Sequence, residues 1–314
     1  MNRTKFQPLF TILAFLTIGL FACSKDEDVN PNQAQLQMEI TDGPCDDPSV
    51  KAVFVTIAEV KVDGKTFSGF TGKKTINLLA YQKGEVAALG LGNLDAGAYQ
   101  EITLVLDAQT DANGNAPGCY VETIDNVKHA LSSAASVTVS TLKNISLVAG
   151  ATTQVVLDFD LRKAVQYSGG GSADQYDFVT SASLQTALRA VVKTQSGNLQ
   201  GSCQNAIVNT DKIVAYVYKK GTFNRNVELS SENGVAFKNA IASTSVESNG
   251  AFKIAFLESG DYEVHFAAYK DLNSDGKLDF QGTLILNSLI DLLDLQIGAN
   301  ANIQLNVSVV GILP

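Results

Sequence analysis

The sequence holds no tryptophan, two methionines, two histidines and four cysteines in 314 residues. Each shortage closes a route. A nucleophilic triad needs a histidine beside its serine or cysteine. His129 sits in a polar stretch after Asp125, and His265 alternates with Val264 and Phe266 on the outer side of an apolar pattern. Neither belongs to a serine or cysteine motif, so a triad is unsupported. No C-x-x-C pair occurs and no histidine accompanies a cysteine, which argues against a cysteine-ligated metal. Basic residues are short as well: Lys+Arg 23 against Asp+Glu 32 gives a net charge of −9, and such a chain is a poor nucleic-acid binder. What is abundant is valine, threonine, isoleucine and glycine, a balance that builds strands and turns rather than helical bundles.

The one long apolar run comes first. Arg3 and Lys5 precede a nearly unbroken apolar stretch over 10–21, which ends at Leu20-Phe21-Ala22-Cys23. A basic start, a short apolar run and a small residue at the cut make a secretion signal. The run is too short for a membrane span, which needs about 20 apolar residues. Its last four residues resemble the lipobox of bacterial lipoproteins. Cys23 supplies the thiol for a thioether-linked diacylglycerol and Ala22 the small residue before the cut, while Phe21 is bulkier than that position usually carries. The sequence therefore predicts a signal peptide over 1–22 and covalent diacylglycerol and acyl chains on Cys23. Several chains anchor stably where one does not. Cleavage removes Arg3 and Lys5, leaving 21 basic against 32 acidic residues, a net charge of −11. Lipid, and no basic patch, must then hold the protein at its membrane. Residues 23–34 include Ser24-Lys25-Asp26-Glu27-Asp28 and form a polar tether that cannot bury enough apolar area to fold. Its acidic run resembles the surface-export signal of some Gram-negative lipoproteins.

Behind the tether, alternation at period two recurs. Leu36, Met38 and Ile40 alternate with Gln35, Gln37 and Glu39. Val53, Val55 and Ile57 share one face, but Val60 and Val62 fall on the other parity, and the slip at Ala58-Glu59 predicts a β-bulge. Further strands are expected at 75–79, 99–106, 137–139, 154–160 and 184–192, with a short helix over 81–89. The polar stretch 194–201 marks a boundary. Strands follow at 213–218, 251–256, 261–266 and 303–309, and 284–295 fits either a strand or a helical turn. The expected fold class is all-β, with two β-sandwich-like domains over 35–195 and 200–314, the second immunoglobulin-like or transthyretin-like. Cys45 and Cys119 flank loops of the first domain and are the expected disulfide, leaving Cys203 as a lone half-buried thiol.

One stretch of the first domain carries a resemblance. Residues 36–42 are followed by Val53-Phe54-Val55-Thr56-Ile57-Ala58-Glu59-Val60-Lys61-Val62-Asp63-Gly64, then by Thr75-Ile76-Asn77-Leu78-Leu79, Leu94-Asp95-Ala96-Gly97-Ala98-Tyr99, Leu157-Asp158-Phe159-Asp160 and Leu188-Arg189-Ala190-Val191-Val192. In order and separation these segments resemble the domain-of-unknown-function family 4382 of bacterial lipoproteins, over about 35–193. The resemblance implies a β-sandwich-like domain on an exported lipoprotein and no known reaction. The chain departs from it at Cys45 and Cys119.

The site with the strongest spacing lies in the second domain, at Asp271-Leu272-Asn273-Ser274-Asp275-Gly276-Lys277-Leu278-Asp279. Calcium takes six to eight oxygen ligands, and alternate loop positions supply them. Here those are Asp271, Asn273, Asp275, the Lys277 carbonyl and Asp279, with Gly276 at the turn. Position 12, where an EF-hand places glutamate, is Gly282, so the expected site is a structural calcium loop between strands. Other patterns carry less. Asp158 and Asp160 share a strand face and read as a solvated pair. Gly90-Leu91-Gly92 lacks the third glycine and βαβ setting of a dinucleotide fingerprint, and Tyr216 and Tyr218 read as cross-strand packing. The whole predicts a non-catalytic binding or scaffold protein of the cell envelope. It is lipid-anchored in the outer membrane and faces the outside or the periplasm. Its expected partners are the membrane and an envelope protein, a peptide or a glycan.

Overall fold

A computed structural model describes residues 32–43, 47, 49–132, 134–168, 175–230, 236–274 and 277–314. The fold is all-β, and the α-helices among these residues are the single turns Leu161–Ala164, Ser181–Leu184 and Arg225–Leu229. No helix of the described residues is long and apolar enough to cross a membrane.

The N-terminal half is two facing sheets. In one, the strands lie in the order Leu188–Val192, Thr152–Phe159, Gln33–Thr41 and Ala87–Asp95. The central pair is parallel, with Leu36 opposite Thr153 and Thr41 opposite Asp158. In the other, Lys128–Ala130, Tyr120–Thr123, Val50–Val62, Gly97–Asp107 and Ser136–Leu147 lie side by side, with Lys65–Thr66 and Lys74–Asn77 also paired to Val50–Val62. Alternation places Leu36, Met38, Ile40, Leu157 and Phe159 against Val53, Val55, Ile57, Val60 and Val62 in one core. Each such side chain contributes about 1.5–3 kcal/mol on full burial. The register against Gly97–Asp107 shifts between Ile57 and Glu59. That is the bulge expected at Ala58-Glu59, and it lets both parities of the strand point inward. The helix expected over 81–89 is instead a 3-10 turn at Leu78–Ala80 followed by the strand Ala87–Asp95. Leu89 is fully buried in that strand, a position set by pairing with Gln33–Thr41.

The C-terminal half is one sheet in the order Ala242–Ser245, Lys212–Lys219, Gly260–Lys270, Asp279–Ser288, Asn302–Leu313, Ser196–Gln204 and Ala251–Glu258, with Leu295–Ile297 paired to Gly260–Lys270. The outermost strands come back toward one another, so the sheet curls around a core of Leu199, Val217, Phe252, Phe266, Leu305 and Val307. A second layer covers the outer face of Lys212–Lys219. There Tyr216 stacks on Phe237 with centroids 4.2 Å apart, and the Tyr218 hydroxyl donates to Glu228 at 2.9 Å. Tyr216 and Tyr218 are thus core residues. Cys203, expected to be half-buried, is buried in the curled sheet.

Residues 32–314 form one compact unit. The outer face of the four-stranded sheet is not solvated: Val156 and Val191 are fully buried against Phe256 of the C-terminal half.

Candidate functional site

Two groups of charged side chains tie the halves together. The first surrounds the turn Leu161–Ala164. Asp160 ends the strand Thr152–Phe159, and its carbonyl accepts from the N–H groups of Lys163 and Ala164. This aims the next side chains across the seam. Arg162, 9% exposed, donates to Asp160 Oδ2 at 3.0 Å and to the carbonyls of Ala236 at 2.9 Å and Phe237 at 2.8 Å. Lys163 Nζ donates to the Ala240 carbonyl at 2.6 Å. Arg189, opposite Asp158 in register, pairs with it at 2.5 Å and reaches the Phe256 carbonyl at 2.8 Å. Each cation therefore pairs with a carboxylate of its own half or donates its remaining N–H groups to carbonyls of the other half. The solvated exterior expected for Asp158 and Asp160 is corrected here: both lie in the seam, because the C-terminal half covers the face they occupy.

Asp42 packs beside them, buried, and its Oδ1 accepts the Leu161 N–H at 3.0 Å. Burial pushes its carboxyl well above the usual range, and the charges of Asp160 and Asp158 add to that. Asp160 goes the other way: burial would raise it, but the charges of Arg162 and Lys163 outweigh burial and hold it low. Burial thus favours the neutral form of one carboxyl beside another whose cations favour the ionised form. A cavity of about 30 Å³ next to them, lined by Asp42, Asp158, Asp160 and Ser243 among others, has room for about two water molecules and no larger ligand.

Asp42 makes stability depend on pH with a definite sign. Its folded pKa lies above its unfolded value of about 3.9, so its contribution is complete below that value and is lost as pH rises through the folded pKa. Asp42→Asn has no proton to lose. The variant is expected to match the wild type near pH 4 and to exceed its thermal midpoint at higher pH. Parallel midpoint curves from pH 4 to 9 would show that Asp42 is not held neutral.

The second group centres on Lys277. Its ammonium donates to Asp47 Oδ2 at 2.9 Å, Ser49 Oγ at 2.7 Å and the Tyr176 hydroxyl at 3.1 Å, and lies 4.2 Å from the Tyr167 ring centroid. Burial would raise Asp47, yet hydrogen bonds from Lys277, Ser49 and Tyr176 hold it below its usual range. Burial likewise leads in pushing the Tyr176 hydroxyl up to about 12.

Lys277 belongs to the loop expected to hold calcium. That loop is a hairpin tip, since Gly260–Lys270 runs in, Asp279–Ser288 runs out, and Lys270 pairs with Asp279. The Asp271 N–H donates to Asp211 Oδ2 at 3.0 Å, and the Leu272 N–H to Asp279 Oδ2 at 3.2 Å. Asp275 and Gly276 lie outside the described residues. Among the described residues no three His, Cys, Asp or Glu side chains form a metal-holding group. Asp211, 60 positions before Asp271, is a carboxylate at this loop that spacing could not have found.

Cys23 and Cys45 also lie outside the described residues. Cys119 is a free, buried thiol. It donates to the Asp107 carbonyl at 3.4 Å and accepts the Thr56 N–H at 3.4 Å, while the expected bridge to Cys45 falls on a residue outside the described ones. Burial pushes this thiol, and that of Cys203, up to about 11, the mark of an unreactive cysteine. His265 stacks on Phe223 with centroids 3.7 Å apart and faces Glu263 at 3.5 Å. Gly90 and Gly92 admit the backbone of Gly69, which lies where a Cβ would have to sit.

Comparison with known proteins adds a family likeness over part of the chain and little more. No curated protein matches the sequence at a significant level. Solved structures match weakly. The TIE protein of Bacillus anthracis is 14% identical with a TM-score of 0.20, covering 89% of this chain and 34% of its own length. The chain thus spans about a third of that protein. The major pilin subunit of Bacillus cereus is 11% identical with a TM-score of 0.21, covering 88% of this chain and 70% of its own. The minor pilin GBS52 of Streptococcus agalactiae is 12% identical with a TM-score of 0.20, covering 88% and 98%. At such scores these likenesses carry no argument. The family comparison is different in kind: the model of a domain of unknown function, DUF4382, matches residues 33–179. It ends before the strand Leu188–Val192, which pairs with Thr152–Phe159 in the same sheet. By that match, residues 33–179, just under half of the chain, are similar to the DUF4382 domain.

Proposed function

We propose that the protein is an exported lipoprotein, held at the outer membrane by lipid on Cys23 and exposed at the cell surface, where it serves as a non-catalytic binding or scaffold module. The observation that carries this reading is the seam. Buried charged groups serve there as clamps, with Arg162, Lys163 and Arg189 each donating to a carbonyl across it. A body locked in this way, behind a polar tether, suits the display of a surface in fixed orientation. In cells fed labelled palmitate, the full-length protein is expected to take up label and Cys23→Ser to take up none. Protease added to intact cells is expected to degrade the protein while a periplasmic marker survives. Label on Cys23→Ser would overturn the anchor, and full protection from protease the orientation.

We also infer that the hairpin Asp271–Asp279 takes one structural calcium ion through Asp271, Asn273, Asp275, the Lys277 carbonyl and Asp279. Calcium titration is expected to give heat and to raise the thermal midpoint, with Asp279→Asn weakening both. A titration without heat would remove the ion from the account.

A further inference from the structure

The C-terminal half carries one surface that neither clamp uses. The strands Ser196–Gln204, Asn302–Leu313 and Asp279–Ser288 lie side by side, and their inward positions fill the core. Their outward positions run in register. Gln200 lies beside Gln304, Ser202 beside Asn306 and Gln204 beside Ser308, and Ser308 is in turn opposite Asn287. One row further on, Asn198 Nδ2 donates to Asn302 Oδ1 at 2.8 Å. None of these positions is charged, although charged residues make up 18% of the chain.

A sheet face that is merely wetted looks otherwise. Exposed positions are dominated by lysine, glutamate, arginine and aspartate. Asparagine is depleted in strands, because its short amide competes for nearby backbone groups. Four asparagines, Asn198, Asn287, Asn302 and Asn306, nonetheless stand on this face. Asn198 and Asn302 pair with each other and Asn306 Oδ1 accepts from Ser202 and Gln304, but Asn287 breaks the local rule without such a gain, which marks a functional position. The side chains of Gln200, Gln204, Asn287 and Ser308 make no hydrogen bond to another described residue, so their donors and acceptors stay available. The face curves outward with the sheet but is locally indented. A cavity of about 230 Å³ is lined in part by Ser202, Gln204, Asn287, Asn306 and Leu289, and Leu289 is fully exposed. At Gln204 it adjoins a second cavity of about 390 Å³ at the end of the curled sheet, a volume within the range of ligand sites.

We propose that this face binds a neutral, hydroxyl-rich glycan. A carboxamide sets a donor and an acceptor side by side, which matches two adjacent sugar hydroxyls. Rows about 6.8 Å apart on strands about 4.8 Å apart repeat that offer across the sheet. Leu289 supplies an apolar patch for the C–H face of a sugar ring. The backbones of these strands are already paired on both sides, so a peptide cannot add here as a further strand and only side chains can read the ligand. The nine positions named on the three strands carry no cation, and Lys253, opposite Gln200 on the next strand, reaches toward Gly84, so nothing among those positions selects an acidic sugar. The inference goes beyond the proposed envelope role and does not depend on the lipid anchor, because binding is read on isolated protein.

The test uses full-length protein carrying Cys23→Ser, titrated calorimetrically with cellohexaose, xylohexaose and mannohexaose and, for comparison, with hexagalacturonate. At least one neutral hexasaccharide is expected to bind saturably. Gln204→Ala/Asn287→Ala should weaken it by at least about tenfold with the thermal midpoint unchanged, and the acidic sugar should bind more weakly than the neutral one. If that double variant does not fold, Gln204→Lys, altered only at an exposed tip, is expected to show the same loss. The proposal is overturned if no neutral hexasaccharide binds, if the variants bind as wild type does, or if the acidic sugar binds tighter. It is equally overturned if the substitutions instead dissociate a dimer, which would make the face a contact between two copies.

Discussion

Arg162→Ala is expected to cost about 3–5 kcal/mol of stability, the range seen when one partner of a buried ion pair is removed. The guanidinium of Arg162 has no solvent to fall back on, and neither do its partners. Its loss leaves the buried Asp160 carboxylate with the 3.6 Å Lys163 pair and strips donors from the carbonyls of Ala236 and Phe237. At about 2–4 °C per kcal/mol for a unit of this size, the thermal midpoint should fall by about 10 °C. Replacing both members of the pair tests the cause, because a buried ion pair exchanged for apolar groups is often neutral. Arg162→Met/Asp160→Leu should therefore recover part of the loss, the remainder reflecting Lys163, whose 3.6 Å carboxylate partner is also removed. A single variant within about 1 kcal/mol of wild type would mean that the seam is held by packing alone.

Gly201→Ala is expected to damage the C-terminal sheet as severely. Gly201 lies in Ser196–Gln204, whose partner Asn302–Leu313 runs parallel to it with Gly201 opposite Leu305. A Cβ built there would sit 1.7 Å from the Leu305 carbonyl oxygen and 2.5 Å from its carbonyl carbon. The obstacle is backbone, so no rotamer relieves it and the two strands must separate. Overpacking costs about 1–3 kcal/mol, occasionally more, and this position should lie at or above the top of that range. Gly298→Ala is the control: its added carbon would meet Ala301 Cβ at 3.7 Å, ordinary contact distance, and should change little. Equal denaturation midpoints for the two variants would contradict the strand geometry.

Strand content was legible because period-two alternation reports a half-buried sheet directly. Leu36, Met38 and Ile40 point inward as their spacing requires, and the parity slip after Ile57 located a bulge. What failed were positions buried on both faces or defined by distant partners. Asp158 and Asp160 look like a solvated pair until a second half covers their sheet, and nothing local announces that cover. Lys277 reads as one more residue of an acidic loop, while its partner Asp47 stands 230 positions earlier. The short strands Tyr120–Thr123 and Lys128–Ala130 are too brief to show a period. Glycine at 201 reads as a weak strand residue, and only the paired backbone explains why nothing larger fits. The amide face is visible in the sequence as alternate Asn, Gln and Ser, but its assembly into one surface needs the register of three strands.

The central claim is that buried clamps join the two halves into one mechanical and thermodynamic unit. Differential scanning calorimetry of the full-length protein carrying Cys23→Ser at pH 7 tests it most directly. The account predicts one transition whose calorimetric enthalpy equals the van't Hoff value, with Arg162→Ala moving the whole transition down or splitting it in two. Two well-separated transitions in the wild type, neither moved by Arg162→Ala, would contradict it.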